Sequence, residues 1–211
     1  MKKIDGQPRP SVVLVHGLWM SGREMVLLRY RLHAAGFRTF RFSYPSRRAT
    51  VAENAGRLQR FLDRHALTDN LHLVGHSLGG LVVLRFLHDF PAWPVRRSVA
   101  LGSPFRGSRA AAQLARFAPT RWLLGRSLPE GLDGQGVCTV PPERTFASVA
   151  GDRAAGLALM ILRLEPGNDG VVELAETRLH GPHRRLQHHT NHLGLVFSKM
   201  VANDVIRFLT D

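Results

Sequence analysis

The sequence predicts an α/β fold: about six mostly parallel strands with helices on both faces. Three observations carry this reading. Strand-like and helix-like segments alternate along most of the chain, the spacing of right-handed βαβ units. The first strand segment, Ser11-Val12-Val13-Leu14-Val15, is apolar almost throughout, as a strand covered on both faces is. The chain has 211 residues, 44% of them hydrophobic and 21% charged, which suits one domain (1–211) with a core of its own.

The elements follow in order. After the first strand comes a Gly-punctuated loop, His16 to Gly22. Arg23 to Ala35 reads as a helix with Met25, Leu28 and Leu32 on its apolar face, closed by Gly36 in a left-handed cap. Phe37 to Phe42 alternates as a second strand, and Tyr44-Pro45-Ser46 turns the chain. Thr50-x-x-Glu53 is a capping box opening a helix to about His65, with Leu58, Phe61 and Leu62 buried. Leu71 to Val74 is a third strand, and Leu78 to Phe90 a helix stopped by Pro91. Arg97–Leu101, Thr145–Ala150 and Arg184–His188 are the remaining strands, and Leu193–Leu209 is a long amphipathic terminal helix. The interval 104–144 breaks the rhythm. It holds a helix from Ser108 to Phe117, a Trp122-Leu123-Leu124 patch and Gly/Pro-rich stretches, and reads as an insertion within the domain.

Composition excludes several classes of function. The single cysteine, Cys138, allows no internal disulfide and no cysteine cluster for zinc, which fits a reducing or redox-indifferent compartment. The longest apolar runs, such as Leu81–Leu84, fall far short of the ~20 residues of a membrane span. Met1-Lys2-Lys3 is basic like the start of a signal peptide, but Asp5, Gln7, Pro8, Arg9 and Pro10 follow where an apolar stretch would stand. The expectation is a cytoplasmic protein with a mobile N-terminal tail and no integral membrane association. The formal charge of +13 invites a nucleic-acid partner. Three of the 29 basic residues are lysines (Lys2, Lys3, Lys199); the rest are arginines scattered along the chain, never more than two in a row. Nucleic-acid binders concentrate basic residues on one face or in a tail, so no nucleic-acid partner is expected.

Gly75-His76-Ser77-Leu78-Gly79-Gly80 lies between a predicted strand and a predicted helix. It matches Gly-x-Ser-x-Gly, the nucleophile elbow, in which a sharp turn forces the serine into a strained backbone and leaves no room for side chains two residues away. Without that context the pattern would be a Gly-rich turn holding a serine. With it, Ser77 stands at the C-terminal edge of the sheet, at the positive end of the next helix.

A serine hydroxyl needs a base to take its proton. Of the eleven histidines, His16 and His76 belong to other motifs, and His33, His65 and His88 fall on polar helix positions. His72 sits inside the third strand, and His180 and His183 precede the last strand. His192, in the loop between the last strand and the terminal helix, is the favoured base; His189, at the strand end beside His188, is the fallback. Two late acids can orient it: Asp152, directly after the fifth strand, and Asp169, in the tight turn Gly167-Asn168-Asp169-Gly170-Val171-Val172, whose setting can turn a carboxylate inward. Either could instead be a turn aspartate bonding its own backbone. For the developing oxyanion, the N–H of Leu78 is one expected donor and that of Leu18, after His16-Gly17, the other. Trp19, Met20 and Trp122 are the substrate-binding candidates, with ordinary packing as the alternative for each.

These motifs resemble the α/β-hydrolase superfamily, and within it the small bacterial lipase/esterase group and the acyl hydrolases that deacylate glycosylphosphatidylinositol lipids. The resemblance runs from Val15-His16-Gly17 through residues 75–80, Leu101-Gly-Ser-Pro-Phe-Arg-Gly-Ser108, residues 167–172 and Asn191-His-Leu-Gly-Leu-Val-Phe-Ser198. It implies Asp169 as the acid and His192 as the base, and a lid or cap at 104–144 over Ser77. It also implies that the superfamily's first antiparallel hairpin is missing.

The expected function is a serine hydrolase of carboxylic esters, acting on a small or lipid-like ester through Ser77, Asp169 and His192, with no cofactor and no metal. The apolar residues Leu114, Phe117, Trp122, Leu123 and Leu124 suit an acyl chain or form the lid's own core. A thioesterase, amidase or acyltransferase would use the same three residues. A non-catalytic binding module on the same fold is the third reading.

Overall fold

The computed structural model describes residues 9–116, 124–127, 131–155 and 162–211. Six strands form one sheet: β1 (Ser11–Val15), β2 (Arg38–Phe42), β3 (Leu71–His76), β4 (Val95–Leu101), β5 (Thr145–Gly151) and β6 (Arg184–His188). They lie in the order β2-β1-β3-β4-β5-β6, and every neighbouring pair is parallel. The helices are α1 (Val26–Ala34), α2 (Val51–Arg64), α3 (Leu78–Asp89), α4 (Arg109–Ala115), α5 (Gly194–Phe197) and α6 (Lys199–Thr210).

The period-2 alternation of a strand divides its side chains between two cores. Val13 and Val15 of β1, with Leu71 and Leu73 of β3, pack against Leu58 and Leu62 of α2 and Leu81 and Phe86 of α3. Val12 and Leu14, with Val99, Leu101 and Val149, pack on the other face against Leu28 and Leu32 of α1 and Leu195, Val201 and Val205 of α5 and α6. Each fully buried Leu or Val contributes ~1.5–3 kcal/mol, against ~1 kcal/mol for a helix cap. Packing, then, decides which face of the sheet a helix takes, and caps decide where it starts. The capping box of α2 forms as expected: Glu53 N–H donates to Thr50 Oγ1 at 3.1 Å, and Thr50 N–H to Glu53 Oε2 at 2.9 Å.

Several boundaries differ from the sequence expectation. Arg23–Met25 form turns, and α1 starts at Val26. Strand β4 begins two residues earlier than expected, at Val95. The terminal helix is two helices. Ser198 takes extended backbone (φ −65°, ψ 133°) and its Oγ accepts from Val201 N–H, capping α6 at the point where the apolar pattern would have run on. In 104–144, Ser108 caps α4 through Ala111 N–H. Phe117, Trp122 and Leu123 lie outside the described residues, as does the N-terminal tail.

Strand β1 has β2 on one side and β3 on the other. The connections after β1 and β3 diverge and open a crevice at the C-terminal ends of the strands, where ligands of open α/β sheets bind. No helix among the described residues is long and apolar enough to cross a membrane.

Candidate functional site

Strand β3 delivers Ser77 into that crevice. Its backbone is left-handed, φ 54° and ψ −123°, a conformation that costs a non-glycine residue ~1–3 kcal/mol. The turn is held by Ser77 N–H donating to Leu101 O at 2.8 Å. Its tightness explains the flanking glycines. A Cβ on Gly75 would sit 2.5 Å from the Gly79 carbonyl, and one on Gly79 would sit 2.1 Å from Val15 O. Among the described residues Ser77 Oγ has no hydrogen-bond partner. It stands at the start of α3, whose first N–H groups, Leu78 among them, have no carbonyl within the helix to bond.

The loop after β1 is fixed by an interaction absent from the sequence reading. His16 is buried; its Nδ1–H donates to Gly17 O at 2.8 Å and its Nε2 accepts from Tyr44 N–H at 3.2 Å. Tyr44 Oη donates to His16 O at 2.7 Å, and the two rings stack at 4.3 Å. Burial holds the His16 pKa below its ordinary value and pushes that of Tyr44 up. The imidazole therefore stays neutral, as it must to accept at Nε2. This clasp ties the His16-Gly17-Leu18 turn to the end of β2. Trp19 follows at φ 62°, its N–H donating to Ser46 Oγ at 3.2 Å. In the sequence Tyr44 was readable only as part of the turn after the second strand.

His192 and Asp169 pair directly. His192 Nδ1 lies 2.7 Å from Asp169 Oδ2, and His192 N–H donates to Asp169 O at 2.9 Å. Both side chains are buried. The other carboxylate oxygen, Oδ1, accepts from Val171 N–H at 3.0 Å and Val172 N–H at 2.8 Å. The turn thus folds around its own aspartate while leaving one oxygen for the histidine. A carboxylate can only accept, so Nδ1 carries a proton, and in the neutral ring Nε2 is then the nitrogen with the lone pair. The Gly102 turn after β4 (φ +58°) passes against this pair. A Cβ there would sit 3.2 Å from both Asp169 Oδ2 and His192 Nδ1.

Ser77 and His192 line one cavity of about 380 Å³. Leu18, Trp19, Met20 and Leu78 line it too, and so do Leu114, Leu124 and Leu132 from the interval 104–144. Trp19 is 55% exposed at its edge. Trp122, the remaining substrate-binding candidate, lies outside the described residues.

The two fallback residues pair with each other elsewhere. His189 Nδ1 lies 2.9 Å from Asp152 Oδ1, and Gln187 Nε2–H donates to Asp152 Oδ2 at 2.7 Å. The Gln187 hydrogen bond, then His189, hold the Asp152 carboxyl below its usual range. Neither Asp152 nor His189 lines the cavity. His188 Nε2 is 3.1 Å from Asp204 Oδ2.

A further group escaped the sequence reading. Glu176 is buried, and its carboxylate accepts from Arg109 N–H at the start of α4 and from Glu173 N–H. Glu173 in turn accepts from Glu165 N–H at 2.8 Å. Burial pushes the Glu176 pKa up to about 7. These acids tie α4, which walls the cavity, to the segment that carries Asp169. Nothing in their sequence setting marks them, because the segment forms neither helix nor regular strand.

The alpha/beta hydrolase family model matches residues 12–193. No curated protein sequence matches. Solved structures share the fold. The mature lipase BlEst2 of Bacillus licheniformis superposes with a TM-score of 0.76 at 18% identity, covering 99% of this chain and 96% of its own. The carboxylesterase CesB (YbfK) of Bacillus subtilis gives 0.60 at 18% identity, over 97% and 85%. The RedJ thioesterase of Streptomyces coelicolor gives 0.66 at 15%, over 95% and 89%.

Proposed function

The chain belongs to the alpha/beta hydrolase family, and on that premise we propose that it is a serine hydrolase of carboxylic esters with an apolar acyl group. The supporting observation is the geometry at one cavity: a strained serine and a buried histidine whose Nδ1 is engaged by a buried carboxylate. Ser77 Oγ attacks the carbonyl carbon as His192 Nε2 takes its proton. Asp169 holds the tautomer and stabilises the imidazolium. The N–H groups of Leu18 and Leu78 receive the oxyanion, each such donor being worth ~10²–10³ in kcat. His192 returns the proton to the leaving alcohol, which departs and leaves an acyl-Ser77 ester. Water, deprotonated by His192, attacks that ester, and the acid leaves with Ser77 Oγ reprotonated.

The acyl group occupies the apolar cavity over Leu114, Leu124 and Leu132, with 104–144 serving as its lid. Trp19 and Met20 flank the carbonyl. No cofactor or metal takes part in the scheme.

Two experiments test this reading together. A fluorophosphonate probe is expected to label the wild-type protein and not Ser77→Ala, and p-nitrophenyl esters of graded acyl length are expected to be hydrolysed by the wild type alone. Folded wild-type protein that neither labels nor hydrolyses any ester or thioester would instead be a binding module. A thioester preferred over its matched oxygen ester would move the substrate class while leaving the three residues in place.

A further inference from the structure

Three loops of the candidate site converge on one side chain that the scheme above does not use. His76 ends β3 and is fully buried. Its Nε2 lies 3.1 Å from the main-chain carbonyl of His192. A carbonyl only accepts, so Nε2 carries the proton and donates. The two imidazole rings lie 4.8 Å apart, tilted by 44°. On its other side, His76 Nδ1 would be 3.4 Å from a Cβ on Gly17, which would also come within 3.1 Å of Ser77 Cβ. Covalently, His76 is the residue before Ser77. One imidazole thus separates the oxyanion loop from the His192 loop and is bonded to the elbow between them.

We propose that His76 is a positioning residue for His192: by donating to the His192 carbonyl and packing against its ring, it sets the height and tilt of the imidazole relative to Ser77. The proposal rests on the serine-hydrolase reading. The hydrogen bond runs to the backbone, so it holds the loop wherever the His192 side chain rotates. The Asp169 bonds fix Nδ1 of the ring and one backbone N–H; the His76 bond fixes the carbonyl that follows. With both in place His192 is held on two sides.

The charge state of His76 agrees with this role. Burial, helped by the nearby His192 and His16, pushes its pKa down to about 3. A cationic ring 4.8 Å from His192 would oppose formation of the imidazolium. A neutral ring does not, and it still donates.

The test compares two replacements of similar volume. His76→Gln keeps an N–H donor at comparable reach, whereas His76→Met removes it. Leaving the His192 carbonyl without its donor predicts a fall in kcat of about ten- to hundredfold for His76→Met. KM for a short p-nitrophenyl ester stays within about twofold, and the rate of fluorophosphonate labelling falls in parallel with kcat. His76→Gln is expected to stay within about threefold of wild type in kcat. Should His76→Met not fold, His76→Phe serves as the second variant without a donor. Equal kcat in the variants with and without a donor, whether both unchanged or both equally reduced, overturns the proposal. A loss of affinity at constant kcat also overturns it. Failure of the underlying reading shows separately, as turnover or labelling retained by Ser77→Ala.

Discussion

Two aspartate–histidine pairs of the same chemistry sit at the same end of the sheet, and almost everything about them differs except their length. Asp169–His192 closes at 2.7 Å and Asp152–His189 at 2.9 Å. In the first, the side chains are 1% and 9% exposed; in the second, 26% and 80%. The buried carboxylate has two further backbone donors on its free oxygen, and its histidine lines the cavity that also holds Ser77. The exposed one is steadied by Gln187 and faces solvent. A short contact therefore says little by itself. In water the attraction is screened and the imidazole is free to turn away. In the dry pair the same bond fixes a tautomer and a direction, the two properties a general base needs.

The largest expected effect breaks that comparison at the histidine and the acid in turn. His192→Gln removes the proposed base and is expected to lower kcat by ~10⁴ or more. Asp169→Asn leaves Ser77 and His192 in place but presents an amide to Nδ1, and is expected to lower kcat by ~10³ or more through the wrong tautomer. His189→Gln and Asp152→Asn are expected to stay within about twofold. Steady-state hydrolysis of one p-nitrophenyl ester by the four variants checks all of this. A loss in the second pair larger than in the first would reverse the assignment.

Burial also separates the histidines in their response to acid, and this effect is smaller. Burial pushes His72 down to about 4 and His76 to about 3, and it lowers His16. Each is neutral when folded, whereas the unfolded chain takes up a proton near pH 6.5. The unfolded state then binds more protons, so stability is full above about pH 6.5 and is lost as pH falls toward 4 and 3. His72 is the cleanest probe. It lies in β3 away from the cavity, edge-on to Phe37, with its ring centroid 5.9 Å from that of Phe37. His72→Leu is expected to flatten the acid limb by about 2 kcal/mol at pH 5, read from urea unfolding at pH 7.5, 6 and 5. An acid limb identical in His72→Leu and wild type would show that the buried imidazoles do not govern it.

How much of this was legible in the sequence follows from how local each signal is. The elbow and the sheet were readable, because glycine spacing around Ser77 and apolar runs such as Val12–Val15 are local consequences of local constraints. The Asx-type turn around Asp169 was readable as a turn. Its partnership with His192, 23 residues away, needed either the resemblance or the structure. The Tyr44–His16 clasp and the Glu176–Arg109 bond join segments 28 and 67 residues apart. Nothing periodic marks them, since each depends on where two irregular loops happen to meet. The division of the terminal helix at Ser198 was missed for a different reason. The apolar pattern runs through the break, and only the side-chain bond to Val201 N–H reveals that the serine starts a new helix.

The smallest expected effect sharpens the comparison from the exposed side. A double-mutant cycle on Asp152 and His189, using Asp152→Asn and His189→Gln, isolates the coupling between them from what each contributes alone. Exposed pairs of this kind couple by about 1 kcal/mol or less, and the interaction is screened as ionic strength rises past a Debye length of about 8–10 Å. The cycle is expected to give a coupling at the low end of that range, vanishing in molar salt. Gln187 makes the outcome informative, because its amide holds Asp152 Oδ2 independently of the histidine. If Gln187 already orders the carboxylate, Gln187→Ala is expected to weaken the coupling further by releasing Asp152 to solvent. A coupling of several kcal/mol that persists in salt would mean instead that Asp152 and His189 are held as firmly as the buried pair. Burial would then no longer distinguish the pair that reaches the Ser77 cavity from the pair that does not.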